Sequence, residues 1–254
     1  QPGLQGDNAF HGFGCDWGDY DNDGDMDVVL SHQHPLLLAN SDYRFSGVRA
    51  NSGAPAFVLA ASGENYTAGT LRVEEQQAGG AWGDVDNDGL LDLFMTTVSP
   101  CHYNDMYIQQ PNHSFAQETF TSGMWRCARG EDAVWVDVDN DGKLDLATGS
   151  DGLFRLFRNR SHTLNSSVQI DLESPSMSHS TIGSRVAVYA GGKQYIRDVV
   201  AGRGVNMQGV PRVHFGLGNT TRIDSVIVLW PNGTKENFGS PAVNAIHALT
   251  EGRS

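Results

Sequence analysis

The chain has 254 residues, 30 of them Gly, and carries 30 acidic against 17 basic side chains for a formal net charge of −13. That charge repels nucleic acid, and no apolar run approaches the roughly 20 residues of a membrane-spanning helix. Helical periodicity is scarce, so the length suits one large all-β domain or two smaller ones.

No signal peptide precedes Gln1, so the chain reads as processed or trimmed. The first element is a charged loop, GDYDNDGDMDVV at residues 18–29, with Asp19, Asp21, Asp23, Asp25 and Asp27 on alternate positions. At about 5 Å and an effective dielectric near 20, each neighbouring carboxylate pair repels by roughly 3 kcal/mol. A cation among them would remove that repulsion. Beyond the loop, SHQHP places His32 and His34 on one side of a strand, a spacing that suits a transition metal but brings no third ligand.

The loop returns twice. WGDVDNDGLLDLFMTT carries Asp84, Asp86, Asp88 and Asp92, and WVDVDNDGKLDLATGS carries Asp137, Asp139, Asp141 and Asp145, all on D-x-D-x-D-G-x-x-D. Each copy keeps a Gly after the third Asp, at 24, 89 and 142, and a Trp two residues before the first, at 17, 82 and 135. Hard carboxylate oxygens at positions 1, 3 and 5, a Gly for the sharp turn and a backbone carbonyl at position 7 are what a Ca²⁺ loop needs. Position 7 holds Asp25, Leu90 or Lys143, an indifference that a carbonyl ligand predicts, and Asp27, Asp92 or Asp145 closes the cage. An EF-hand would need Glu at position 12 and flanking helices. Position 12 is Leu30, Met95 or Thr148, inside β-like runs, so the loops join strands. Three filled sites would leave a balance of about −7.

After each loop comes a hairpin-like stretch, LLLANSDYRFSGV, MYIQQPNHSFAQETF and GSDGLFRLFRN, with strand pieces around turn residues. Loop starts lie 65 and then 53 residues apart, room for a four-stranded propeller blade with the Trp packed between neighbours. Cys101 and Cys127 bracket one segment of a single repeat and are the preferred disulfide, leaving Cys15 free or intermolecular, although sequence leaves the connectivity open. Six N-x-S/T sequons, at Asn65, Asn112, Asn159, Asn165, Asn219 and Asn232, stand against about two expected by chance and point to a secreted glycoprotein. Near the polar stretch at residues 172–183 the character changes to SRVAVYAGG, KQYIRDVV, PRVHFGLG and DSVIVLWPNG, strands between Gly-rich turns. Arg197 and Asp198 read as a surface ion pair.

With these residues on the page, the loops resemble FG-GAP/VCBS calcium repeats, and IGSRVAVYAGGKQYIRDVVAGRGVNMQGVPRVHFGLGN with IDSVIVLWPNG resembles the ASPIC/UnbV domain. The order of the two resembles the cartilage acidic protein family. The resemblance implies β-propeller-like blades over residues 1–171 and a β-rich ASPIC/UnbV domain over 172–254, with fewer calcium repeats than the roughly seven blades usual in that family.

No nucleophile, base and orienter assemble in the sequence. The reading is a secreted, calcium-binding, structural or adhesive module that meets extracellular proteins, glycans or copies of itself, up to a homo-oligomer or filament. The alternatives are a propeller lyase or cyclase, which needs a deep central pocket, and a calcium-dependent lectin.

Overall fold

A computed structural model describes residues 14–31, 36–40, 57–62, 77–97, 103–124, 130–150, 153–175, 180–202 and 208–254. Among them every regular element is a strand, so the fold is all-β as expected. The first four, β1 (Gly14–Gly18), β2 (Asp27–Ser31), β3 (Leu36–Asn40) and β4 (Phe57–Ser62), form a sheet in that order. The next four, β5 (Gln77–Gly83), β6 (Asp92–Thr97), β7 (Asp105–Gln109) and β8 (Phe115–Gln117), repeat it. A third sheet holds β9 (Gly130–Val136), β10 (Asp145–Ser150) and β11 (Leu153–Phe157), and stops at three strands among the described residues.

These are blades on one plan. The pairs Gly18↔Asp27, Gly83↔Asp92 and Val136↔Asp145 close the mouth of the hairpin in each, so every Asp loop bridges the first two strands in the same register. The inner strands lie side by side, β1 against β5 and β5 against β9. Among the described residues, the expected packing of Trp between neighbouring blades is seen at Trp82 and Trp135. Trp82 is buried against Gly18, where an added Cβ would come within 3.1 Å of the indole. Trp135 is buried against Gly83, where the same atom would come within 2.6 Å. A side chain at either Gly would therefore push the blades apart. In blade 3 the corresponding residue is Val136, and the row of Trp–Gly contacts ends there. Trp17, at the other end of the row, is 36% exposed.

The remaining strands build a sandwich. One sheet is β15 (Val213–Gly216), β12 (Ser167–Glu173) and β18 (Ile246–Thr250), with β12 and β18 parallel. The other is β14 (Lys193–Asp198), β13 (Arg185–Ala190), β16 (Ile223–Leu229) and β17 (Lys235–Asn237). Alternate residues of both sheets, including Val168, Ile170, Val186, Val188, Phe215, Val226 and Val228, meet in one core, as period-two patterning requires. Gly191 and Gly192, at φ 59° and 76°, make the two-residue turn between β13 and β14. Strand β12 runs across the boundary expected between residues 171 and 172. Its Val168 and Ile170 belong to the C-terminal core, because the parallel partner β18 comes from the far end of the chain.

Candidate metal centre

Each Asp loop is built by its own backbone. The fourth residue, Asn22, Asn87 or Asn140, takes a left-handed conformation at φ 57°, 61° and 58°. The sixth, Gly24, Gly89 or Gly142, sits at φ 99°, 93° and 86°, where a side chain is strained. This tight coil turns amides inward onto the carboxylates. The Gly amide donates to the first Asp, at 3.3 Å to Asp19, 2.9 Å to Asp84 and 2.8 Å to Asp137. The amide of the second residue donates to the ninth, from Tyr20 to Asp27 at 3.0 Å, Val85 to Asp92 at 2.9 Å and Val138 to Asp145 at 3.1 Å.

The result is three clusters. One oxygen from each of Asp19, Asp21 and Asp27 lies within 4.8 Å of the others, and the same holds for Asp84, Asp86 and Asp92 and for Asp137, Asp139 and Asp145. The fifth-position residues Asp23, Asp88 and Asp141 stand outside these groups. Each accepts the amide of the seventh residue instead, from Asp25 and Leu90 at 2.8 Å and from Lys143 at 3.0 Å. The spacing implies four carboxylate positions and a carbonyl at the seventh; the fold divides the carboxylates into three that converge and one that braces the coil by accepting the amide of the seventh residue.

Whether such a cluster fits a cation is answered by its buried atoms. Asp19 Oδ2 and Asp84 Oδ1 are buried with no hydrogen-bond partner, which is costly for an acceptor unless an ion or proton meets it. Burial pushes the Asp19 carboxyl up to about 7 and that of Asp84 up to about 8, although the charge of Arg197 pulls both down. Asp92 rises well above the carboxylate range, first by burial and then by its neighbour Asp84. An all-oxygen donor set of this charge suits a hard divalent cation. In the third loop Arg158 is ion-paired to Asp139, and lies 3.7 Å from Asp145, while Lys143 lies 3.7 Å from Asp141.

Contacts that single loops could not reveal join the three into a row. Asn22 Nδ2 donates to the Gly89 carbonyl at 3.0 Å, and Asn87 Nδ2 to the Gly142 carbonyl at 3.1 Å. The matching third residue, Asn140, accepts from Arg212 at 2.8 Å. The recurrence of Asn between the second and third Asp in all three copies was the available signal. Two further clamps repeat behind the loops. Gln109 donates its backbone amide to Asp92 at 2.9 Å and its side-chain amide to the Tyr20 carbonyl at 2.9 Å. Asn159 does the same to Asp145 at 2.7 Å and the Val85 carbonyl at 2.8 Å.

The C-terminal sandwich is seated on this row. A Cβ at Gly216 would fall 2.0 Å from Asp84 Oδ2 and 2.5 Å from Asn87 Cα, so only Gly permits the approach. Gly218 donates its amide to the Asn87 carbonyl at 2.8 Å, Asn165 its side-chain amide to the Asp86 carbonyl at 3.0 Å, and Ser167 its hydroxyl to the Gly142 carbonyl at 2.8 Å. His214 Nε2 lies 3.1 Å from the same carbonyl, and burial lowers its pKa to about 4. The expected Arg197–Asp198 pair is corrected. Adjacent strand residues face opposite ways, so Asp198 is held by Arg185 at 2.6 and 2.8 Å while Arg197 is buried over the Phe215 ring at 5.5 Å.

Of the other predicted positions, Asn65, His32, His34, Cys101 and Cys127 lie outside the described residues. Cys15 is half-buried and free, its thiol pKa raised by burial. The sequon residues Asn112, Asn219 and Asn232 are exposed. Asn159 instead uses its amide nitrogen for two carbonyls, Val85 and Leu144 at 2.8 and 3.1 Å.

Comparison with known proteins follows this division. Residues 84–148 match the family described as FG-GAP-like repeat, and residues 175–254 match that described as ASPIC and UnbV. No curated protein matches the chain, so the finer likeness to the cartilage acidic protein family draws no support from a relative. The stretch that holds the second and third Asp loops is thus similar to an FG-GAP-like repeat, and the sandwich seated upon them is similar to an ASPIC and UnbV domain.

Proposed function

We propose that the chain is a calcium-stabilised extracellular module with a structural or adhesive role. The observation that carries this reading is one Asp cage built three times in the same register, with buried carboxylate oxygens left without partners in two of the three. Calcium takes six to eight oxygens. Asp19, Asp21 and Asp27 would hold the first ion, Asp84, Asp86 and Asp92 the second, and Asp137, Asp139 and Asp145 the third. The fifth-position carboxylates and the carbonyls of Asp25, Leu90 and Lys143 complete the sets that the spacing implies. When bound, the ion would offset two of the cage's negative charges and tie its turns together; the side chains position it and brace the coil.

The module works outside the cell in this reading, where millimolar calcium keeps weak sites filled and an oxidising medium allows Cys101 to pair with Cys127. Repeat followed by ASPIC and UnbV domain is the order that suggested the cartilage acidic protein family. Its partners are extracellular proteins, glycans or copies of itself, and a contact that does not close on itself would give a filament. Asn112, Asn219 and Asn232 are the glycan acceptors favoured by exposure, whereas a glycan on Asn159 would remove a hydrogen bond to a loop carbonyl.

Metal content by mass spectrometry after equilibration in millimolar Ca²⁺ tests the reading: three ions per chain are expected. A chain that retains none, with melting curves in Ca²⁺ and in chelator that superimpose, removes its basis.

A further inference from the structure

A cleft of about 300 Å³ opens where the sandwich meets loop 3, between residues 140–143, the 163–167 segment that leads into β12, and residues 244–246 at the start of β18. Four carboxamides in its lining each give one end to the frame. Asn165 Nδ2 donates to the Asp86 carbonyl at 3.0 Å and Gln169 Nε2 to the Asp137 carboxylate at 2.5 Å, while Asn140 Oδ1 accepts from Arg212 at 2.8 Å and Asn244 Oδ1 from the Ser167 amide at 2.9 Å. Each of those partners works in one direction only, as an acceptor or as a donor, so the two ends of each amide cannot be exchanged. The ends left over are therefore fixed as well. Asn140 and Asn244 keep an NH₂ group, Asn165 and Gln169 keep a carbonyl oxygen, and none of the four atoms has a hydrogen-bond partner among the described residues. Gln169 is only 3% exposed, so its amide is held by burial rather than loose at the surface. Asn87, also in the lining, keeps a buried Oδ1 without a partner, a cost that a ligand donor would offset.

The pattern of open ends narrows the ligand. An anion asks for donors and a bare cation for acceptors. Two donors and two acceptors around one space suit hydroxyl groups, which do both. The charged residues in the lining, Asp141 and Lys143, lie 3.7 Å apart and offset each other, so the cleft favours a neutral ligand. Leu164, 99% exposed, and Ile246, 38% exposed, add apolar surface to the same cleft, and a volume of this size is at the small end of ligand sites. A polyhydroxylated ring with an apolar C–H face meets all of these demands. Asn165 heads a sequon, but its Nδ2, the atom that would carry a glycan, is already given to the Asp86 carbonyl. The cleft is thus arranged to receive a sugar rather than to carry one.

We propose that this cleft binds one neutral sugar ring of an extracellular glycan, with ring hydroxyls against Asn140, Asn165, Gln169 and Asn244 and the C–H face against Leu164 and Ile246. This deepens the adhesive reading by naming its partner class, and it rests on that reading for a filled loop 3 as one wall of the cleft.

The probes are the methyl glycosides of glucose, galactose, mannose and N-acetylglucosamine at millimolar concentration, with saturation transfer from the full chain in Ca²⁺ read by NMR. Saturable transfer to at least one of them is expected, strongest at the protons of one ring face. Asn244→Asp should weaken binding about tenfold, because it replaces the open donor by an acceptor while keeping the oxygen that takes the Ser167 amide. Leu164→Ser should weaken it too and, at an almost fully exposed position, should leave the melting temperature unchanged. No transfer to any of the four glycosides, or transfer indifferent to both changes, overturns the proposal. So does displacement by millimolar sulfate, which would mark an anion site, or a glycan found on Asn165 by peptide mapping, which would fill the cleft from within. Metal is counted on the same sample: absent binding with three ions per chain overturns this inference alone, and absent binding with none overturns the calcium reading as well.

Discussion

The second and third Asp loops share nine-residue spacing and nearly the same sequence, and both touch the sandwich, yet their carboxylates differ in exposure and in nearby cations. Around loop 2, Asp84, Asn87 and Asp92 are only 1%, 3% and 1% exposed, with Gly216 and Gly218 of the sandwich pressed onto the coil. In loop 3, Asp139 is exposed and the cationic side chains of Arg158 and Lys143 reach its carboxylates. Both clusters can be drawn as the same cage. Their charge is compensated differently, because low dielectric magnifies an uncompensated carboxylate and bulk water with a nearby guanidinium relieves it. A cation therefore matters most to loop 2, and its absence is best tolerated by loop 3.

Chelation is the broadest way to break that comparison. Ligand binding to the native state adds about 2.7 kcal/mol per site at 100-fold excess over Kd, so three sites together make this the largest expected effect on melting temperature. In chelator the loss should deepen between pH 6.5 and 8. Unfolded carboxyls are ionised above about pH 4, whereas Asp19 and Asp84 ionise at about 7 and about 8 when folded. The native state then holds more protons than the unfolded one, and stability falls as pH rises. His214, at about 4 when folded, opposes this only weakly, because an unfolded imidazole with a pKa of about 6.5 is already half neutral at pH 6.5. Melts in chelator at pH 6.5 and 8 that coincide would contradict the burial of these carboxyls.

Asp86→Ala against Asp139→Ala sharpens the contrast. Each should remove one bound ion, counted by mass spectrometry, but the first should lower the melting temperature more. Equal shifts would mean that the sandwich does not depend on loop 2. Gly216→Ala probes the same seat from the other side, with an expected cost of about 1–3 kcal/mol for overpacking, because the new atom meets Asn87 backbone and the Asp84 carboxylate. Denaturant melts measure it. Asn87→Ala, which removes the bond to the Gly142 carbonyl, should cost about 1 kcal/mol. The smallest effect on stability is expected from Arg158→Met, which removes the cation paired with Asp139 and leaves Lys143 beside Asp141; calcium titration should show the weakest site tightened. An unchanged weakest site would mean that the Arg158 pair does not compete with metal.

How much was legible depends on how far apart the deciding residues lie. The Asp cages could be read because ligand, turn and closing residue all fall within nine positions, and the coil that gathers them needs only Gly and a tolerant Asn at fixed offsets. The strands could be read for the same reason, since alternation is a neighbour-to-neighbour signal. The division of each cage into convergent and bracing Asp was hidden, because spacing counts carboxylates without aiming them. Tertiary structure alone decided that Asn22 reaches Gly89 across 67 positions, that Gly216 lies against Asp84, and that Arg197 turns inward while Arg185 takes Asp198. It also carried β12 into the C-terminal core, beside a strand from the far end of the chain. Such contacts follow from how blades stack and sheets pair, and a close approach of two backbones leaves no mark in sequence beyond a Gly that many other reasons could also place there.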